Sequence, residues 1–252
     1  MIRRLVLPEG HLGSEEIVVT GPGLHYLSRV LRLAAGEQVE LVDGTGLRFL
    51  GRLERISKKE ALVLVEAPLP GEPAPARPLH LVYGLSRGRR TEWVLQKATE
   101  LGVDGVALAL CERSVKRPGQ EPDKLARWRE IVAQAGRQCG RARFPRLHPV
   151  QPLAGALELP PPGGTRLLAH PGGVPMAEIG AEVQAGAGHT VLAVGPEGGF
   201  TEEEAGLARE LGFRAVSLGP NTLRTETAAV ALLTVAGFLM GRMTGPGERG
   251  KR

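Results

Sequence analysis

The sequence predicts an α/β protein: a small β-rich domain followed by a parallel sheet covered by helices on both faces. Three observations carry this. From residue 79 to residue 240, strand-like apolar runs alternate with helical runs, the order that builds a parallel sheet. Ahead of residue 67, short β-branched runs dominate, with one helical stretch among them. Between the two, residues 67–78 hold five prolines in twelve positions, which disfavours helix and central strand alike and reads as a semi-rigid linker. The division therefore falls into domains 1–72 and 73–252.

In the first domain, residues 3–7, 16–20, 38–42, 47–56 and 61–66 have the apolar content of strands. Asp43-Gly44-Thr45-Gly46 is a hairpin signal, and residues 24–33 form a short helix, so a small barrel or sandwich is expected. In the second, strands are expected at 79–85, 105–110, 165–169, 190–194 and 215–218. Helices are expected at 91–101, 123–139, 176–185, 202–211 and 226–240, with Gly102 and Gly140 as stops.

Composition narrows the function. The chain has 252 residues and a formal net charge of +5. The surplus is local: residues 1–72 carry 9 basic and 10 acidic side chains, whereas 87–146 carry 14 and 7. A local basic excess, with 26 Arg against 6 Lys, points to a polyanion such as nucleic acid. The opening MIRRLVLPEG holds no apolar run of a secretory signal, and the apolar stretch at 228–240 is too short to cross a bilayer, so a cytoplasmic protein without membrane contact is expected. Two cysteines, Cys111 and Cys139, make neither a disulfide framework nor a zinc site, and the six histidines lack metal spacing; no metal is expected. His25 is expected to pack in the first domain, and Trp93 and Trp128 to lie in a core or an interface.

Two strand-to-helix loops carry candidate chemistry. Val194-Gly195-Pro196-Glu197-Gly198-Gly199-Phe200 runs into Thr201-Glu202-Glu203-Glu204: a glycine-rich turn lets a ligand approach the backbone, and Thr201 with Glu204 makes a capping box. It lacks Gly-Lys-Ser/Thr and GxGxxG spacing, so it is no phosphate loop. The second loop, Ser217-Leu218-Gly219-Pro220-Asn221-Thr222-Leu223, enters a helix through Arg224-Thr225-Glu226. Glu226 suits a helix N-terminus; Arg224, a cation there, does not, and implies a contact with an anion or a polar substrate edge.

Together these loops resemble the RsmE-type SPOUT methyltransferases. The resemblance extends to Gln96-Lys97-Ala98-Thr99-Glu100-Leu101-Gly102-Val103, to Glu112-Arg113-Ser114, and in the first domain to His25-Tyr26-Leu27-Ser28-Arg29-Val30-Leu31-Arg32, Gly36 and Asp43-Gly44-Thr45-Gly46. It spans nearly the whole chain. The chain departs from the family pattern around Gln134, Gln138, Cys139 and Arg141. The resemblance implies a PUA-like RNA-binding β-barrel, a SPOUT-type parallel sheet with a trefoil knot, a homodimer, and S-adenosyl-L-methionine as cofactor. It also implies methylation of N3 of a uridine, uridine 1498, in the 16S ribosomal RNA of the small subunit.

Under that resemblance Leu218, Gly219, Asn221 and Leu223 are candidates for an adenine slot, and Gly195, Glu197, Gly198 and Gly199 for the ribose and methionine parts. Leu168, Ala169 and His170 are a third wall. The uridine N3 proton must leave before its lone pair can react. Arg224 stays protonated, so it can stabilise a uridylate oxygen but cannot be the base; Glu197 or Glu226 could accept the proton. Arg3, Arg4, Arg29, Arg32, Arg87, Arg89, Arg90, Arg113, Arg117, Arg141 and Arg143 are candidate RNA contacts, about half of them expected to touch RNA through phosphates. Two other readings stay open: a SPOUT enzyme with another RNA target, and a non-catalytic assembly factor that binds ribosomal RNA.

Overall fold

The structure, a computed structural model, describes residues 3–114 and 122–243. It divides into two compact units. One comprises residues 1–74 and 133–144, the other 75–132 and 145–252. The segment 133–144, which a division at 72/73 puts in the second part, thus groups with the first.

The first unit is a five-stranded sheet in the order β1-β3-β4-β5-β2. β1 (Arg3–Val6) runs parallel to β3 (Gln38–Val42), and β2 (Glu16–Val19), β4 (Arg48–Ile56) and β5 (Ala61–Leu69) complete it with antiparallel ladders. The hairpin joins β3 to β4, with Val42 opposite Arg48. Alternate residues Leu5, Val39, Leu41, Leu53 and Val63 face one core with Leu24, Leu27 and Leu33. β5 runs on into the proline-rich segment, and Pro68 pairs with Phe49. It is tolerated because β2 pairs only with Ala61, Leu62, Val63 and Leu64, so Pro68 lies where β5 has become an edge. The helix expected at 24–33 starts earlier, as α1 (Gly21–His25) with Pro22 in its first turn, and continues as a π-helical turn, Tyr26–Val30. His25 is exposed rather than packed.

Residues 133–144 are stitched into this unit by the backbone. Gly46 N–H donates to Ala142 O, and Phe144 N–H to Gly44 O. The Glu72 carboxylate accepts from the N–H groups of Ala142 and Arg143, and Arg137 lies 4.0 Å over the Tyr26 ring.

The second unit is a seven-stranded, wholly parallel sheet in the order β12-β10-β11-β6-β7-β8, with β9 also on β7. Its members are β6 (Leu79–Gly84), β7 (Gly105–Leu110), β8 (Arg146–Leu147), β9 (Gln151–Pro152), β10 (Thr165–Pro175), β11 (Thr190–Val194) and β12 (Arg214–Ser217). The helices are α2 (Arg90–Glu100), α3 (Pro122–Cys139), whose residues from 133 on group with the first unit, α4 (Leu153–Glu158), α5 (Gly180–Ala185), α6 (Glu202–Glu210) and α7 (Thr225–Leu239). The central strands are apolar throughout because both faces are covered: Val82, Ala107, Ala109, Val191 and Ala193 pack under α4 and α6, while their neighbours Leu81, Tyr83, Val106, Leu108 and Leu192 are equally buried on the other face. β10 does not stop at 169. It shifts register between Ala169 and Val174 and reaches Pro175 beside Ser217.

Candidate active site

The connections from two neighbouring strands of the second sheet leave in opposite directions at one point. β6 leads through α2 to its neighbour β7, whereas β11, on the other side of β6, leads through α6 to β12 at the far edge. Right-handed crossovers that move in opposite directions put their helices on opposite faces. They leave a crevice outside the carboxyl ends of the two strands, the position where open α/β sheets take ligands.

The crevice floor is close-packed. A Cβ at Gly84, the last residue of β6, would meet Pro196 at 2.6 Å, so only glycine lets the two strand ends approach. Gly199 has φ +69, a left-handed conformation that glycine adopts without strain. Thr201 caps α6, accepting from Glu204 N–H, while the Glu204 side chain accepts from Thr201 N–H. The Thr225 hydroxyl donates to Gly195 O. That single bond ties the start of α7 to the glycine-rich turn and brings both motif loops into one place.

Two carboxylates and one guanidinium meet there. Glu197 Oε1 accepts from Arg87 N–H at 2.8 Å and from Arg90 Nη1 at 2.7 Å. Burial works to raise its pKa, but those hydrogen bonds and the Arg90 charge outweigh burial and hold it below the ordinary carboxylate value. Glu197 is therefore a fixed anion and a poor proton acceptor. Arg90 Nε lies 3.6 Å from Glu226 Oε1, and Glu226 Oε2 is buried with no hydrogen-bond partner among the described residues. Beneath them the buried Tyr83 hydroxyl is 2.9 Å from Ser86 Oγ. Burial pushes the Tyr83 pKa up against hydrogen bonds from Ser86 and Thr225, so the phenol stays neutral.

Arg224 is the N-cap of α7, exposed and without a side-chain cap bond. Among the described residues it has no ion-pair or hydrogen-bond partner for its guanidinium. Alongside, a cavity of about 420 Å³ is lined by Pro171, Pro175, Ser217, Gly219, Pro220, Asn221 and Thr222, within the size range of small-molecule sites. Of the expected adenine slot, Gly219 and Asn221 line it; Leu218 and Leu223 are half-buried outside its lining. The Leu168 side chain belongs to the core under α4 and α6, so only its backbone is free to meet a ligand. Ala169 and His170 precede the cavity wall, and His170 Nδ1 accepts from Gly172 N–H. Sequence reasoning quoted Ser217, Pro220 and Thr222 in the loop without assigning them to the slot, and missed Pro171 and Pro175 altogether. Their signal would have been the run of β10 past residue 169, which a Pro-Gly-Gly sequence hides.

The arginines separate into free and occupied. Arg29, Arg32, Arg87 and Arg89 are exposed, and Arg3 meets only Glu37 at 3.6 Å in an open pair. Arg4 is a structural residue: it forks onto Glu40 at 3.0 Å through two nitrogens and gives the third to Arg141 O. Burial works to raise the Glu40 pKa, but Arg4 and Arg48 together hold it low. Arg141 is buried, and Arg143 donates to Glu72 O, so neither is presented as a phosphate ligand. Arg90 and Arg113 spend hydrogen bonds on Glu197 and on the Gly198 carbonyl, although Arg113 is exposed and Arg90 half-exposed. Arg117 lies outside the described residues. Trp128 is core, whereas Trp93 is 42% exposed.

A family model described as an RNA methyltransferase domain matches residues 72–237, and one described as an RNA methyltransferase PUA domain matches 19–66. The ribosomal RNA small subunit methyltransferase E of Synechocystis is 32% identical over 253 residues, covering 95% of this chain and 78% of the relative. The chain belongs to the ribosomal RNA small subunit methyltransferase E family. The Bacillus subtilis protein of the same name is 28% identical, covering 87% of this chain and 89% of its own length. A crystal structure of the Neisseria gonorrhoeae protein of this name, bound to S-adenosyl methionine, superposes with a TM-score of 0.83 at 33% identity, covering 97% and 100% of the two chains. In this RNA methyltransferase the matched domain contains the whole crevice, and the PUA match covers β3, β4 and most of β5, beginning at the last residue of β2. No helix among the described residues is long and apolar enough to cross a membrane, and none of their His, Cys, Asp and Glu side chains cluster to hold a metal.

Proposed function

We propose that the chain is an S-adenosyl-L-methionine-dependent methyltransferase acting on N3 of a uridine, uridine 1498, in 16S ribosomal RNA. The observation that carries this is the Thr225–Gly195 bond, which joins the two motif loops at the sheet's switch point, with Arg224 beside them unpaired among the described residues. Membership of the family and the cofactor-bound relative from Neisseria support it.

The residues present fit the cofactor. The cavity at Gly219 and Asn221 has the volume for an adenosine, and the glycine-rich turn at Gly195 and Gly199 offers backbone close to it. When bound, the cofactor supplies an electrophilic methyl group. The chain does the rest. Arg224 stabilises the negative charge that develops on a uracil carbonyl oxygen, an oxyanion role for which a free, permanently charged guanidinium is suited. Glu226 Oε2 takes the N3 proton. Glu197, clamped by Arg87 and Arg90, keeps the turn in place. Arg3, Arg29, Arg32, Arg87 and Arg89 position RNA through phosphates.

A homodimer in the cytoplasm belongs to the same proposal. α7 is apolar nearly all round, which marks a helix with neighbours on every side, yet Phe238 is 70% exposed, with Val235 and the nearby Trp93 also uncovered. A second copy of the chain covers them. The trefoil knot implied by the resemblance is likewise part of this reading.

Methyl transfer from labelled S-adenosylmethionine to purified small subunits, with mass mapping of the product nucleoside, tests the proposal. The expected product is N3-methyluridine, lost in Arg224→Ala while cofactor binding persists. Transfer to another RNA or another atom would replace the substrate; no transfer and no cofactor binding would leave the assembly-factor reading.

A further inference from the structure

The geometry points to Arg113 as a positioning residue that clamps the glycine-rich cofactor loop, rather than an RNA contact. This rests on the reading of residues 195–204 as that loop. Arg113 follows β7 in the turn Cys111-Glu112-Arg113-Ser114. The turn is closed on itself: Ser114 N–H donates to Cys111 O, and Cys111 N–H to Ser114 Oγ. It is fastened to the loop at two separate points. Glu112 N–H donates to Glu204 Oε1 at 2.8 Å, the carboxylate that also closes the capping box. Arg113 Nη1 donates to Gly198 O at 2.8 Å and reaches Phe200 O at 3.4 Å.

The stem of the same side chain explains a glycine. Gly198 is not in the left-handed region, so its backbone does not demand glycine. A Cβ there would instead meet Arg113 Cβ at 2.9 Å and Cδ at 3.1 Å. Arg113 lies flat across Gly198 and holds two loop carbonyls on the far side. The turn fixes the position of Arg113, and Arg113 fixes Gly198, Gly199 and Phe200, so the backbone that approaches the cofactor is ordered before binding. Preorganisation of this kind lowers the ordering cost at the moment of binding. Lysine has one point charge where arginine has a fork, so it holds one carbonyl at best.

The test uses the full-length chain as wild type, Arg113→Ala, Arg113→Lys, Gly198→Ala and the double variant Arg113→Ala/Gly198→Ala. Three quantities are read: S-adenosylmethionine affinity by calorimetry together with its KM and kcat, amide hydrogen exchange across 195–204 without cofactor, and rRNA affinity as a function of salt. Loss of a charge-assisted bond to a partly exposed site predicts about tenfold weaker cofactor binding and a matching rise in KM for Arg113→Ala, with kcat within about twofold. Lysine restores part of the loss. Exchange quickens at Gly198, Gly199 and Phe200, and the rRNA salt slope is unchanged. Gly198→Ala weakens cofactor binding alone and again on top of Arg113→Ala, because alanine keeps the Arg113 Cβ that a side chain at 198 would meet at 2.9 Å. Wild-type cofactor affinity and exchange in Arg113→Ala would overturn the inference. So would a fall in rRNA affinity with a salt slope smaller by about one, the signature of a lost phosphate contact. If the wild type takes up no S-adenosylmethionine, the cofactor reading itself falls, and the exchange comparison alone then decides whether Arg113 fixes the loop.

Discussion

Arg90 treats its two carboxylates unequally, and the roles proposed for them rest on that difference. Glu197 takes a 2.7 Å bond from the guanidinium and a second bond from a backbone N–H; Glu226 keeps one buried oxygen with no donor among the described residues. Glu226→Gln is therefore expected to lower kcat by at least tenfold with cofactor affinity little changed. Glu197→Gln is expected to loosen the turn and weaken cofactor binding first. Steady-state kinetics with calorimetry separates the two, and the reverse pattern would exchange the roles. A second residue-scale expectation concerns Arg32, the one non-glycine among the described residues with positive φ, at 52. It follows a π-helical turn, and such local strain gathers where function holds it. Arg32→Gly relieves the backbone, so thermal unfolding shows equal or higher stability, by up to about 1 kcal/mol, while rRNA affinity falls. Sequence reasoning saw these side chains but not their partners. Arg4 and Arg29 look alike in the chain; one is forked onto Glu40 and the other is exposed, and only the fold of β1 against β3 decides which.

At the scale of elements, periodicity did well for the buried strands and poorly for a helix of under two turns and for strands of two residues. β3, β7 and β11 are where alternation and apolar runs put them, because a fully buried strand leaves no freedom in residue type. α4, β8 and β9, at six residues or fewer, carry too few turns or pairs for any period to appear. The capping box on α6 was legible in full, since both partners lie within four residues of each other. Thr201→Ala removes its N-cap acceptor and is expected to cost about 1 kcal/mol, read by urea denaturation. The glycine-rich loop is the next thing to loosen, because the Glu204 N–H would lose its acceptor at the start of α6 while the Glu204 carboxylate holds both Thr201 N–H and Glu112 N–H. On α7, Phe238→Asp is expected to shift the sedimentation coefficient from dimer to monomer. An unshifted dimer would mean that α7 is not the interface.

For the whole molecule, pH acts mainly away from the crevice. His80, at the first strand of the parallel sheet, is held below its usual pKa by burial; Asp104 opposes this, and His189, His148 and Arg242 reinforce it. His148 is lowered by burial and by Arg146. Both therefore stay neutral in the folded chain while the unfolded chain takes up protons near 6.5. Their contribution to stability is complete above that value and is lost as pH falls from 6.5 through the folded pKa values. The urea midpoint should drop between pH 8 and pH 5.5, and His80→Gln should flatten that drop. The family and its fold were legible because the two loops lie within thirty-odd residues of each other and keep their order in the chain. The discontinuity of the first unit was not. It depends on Gly46, Glu72 and Phe144 meeting across a long interval of sequence, and no local pattern records that. The discontinuity bears on how the chain is made. A ribosome releases residues 1–74 well before 133–144, so the nascent first unit waits, with Glu72 and the Gly44 carbonyl still facing water, until more than half the protein has emerged. A fragment that stops at the proline-rich segment should behave like that waiting intermediate, open to proteases and slow to settle.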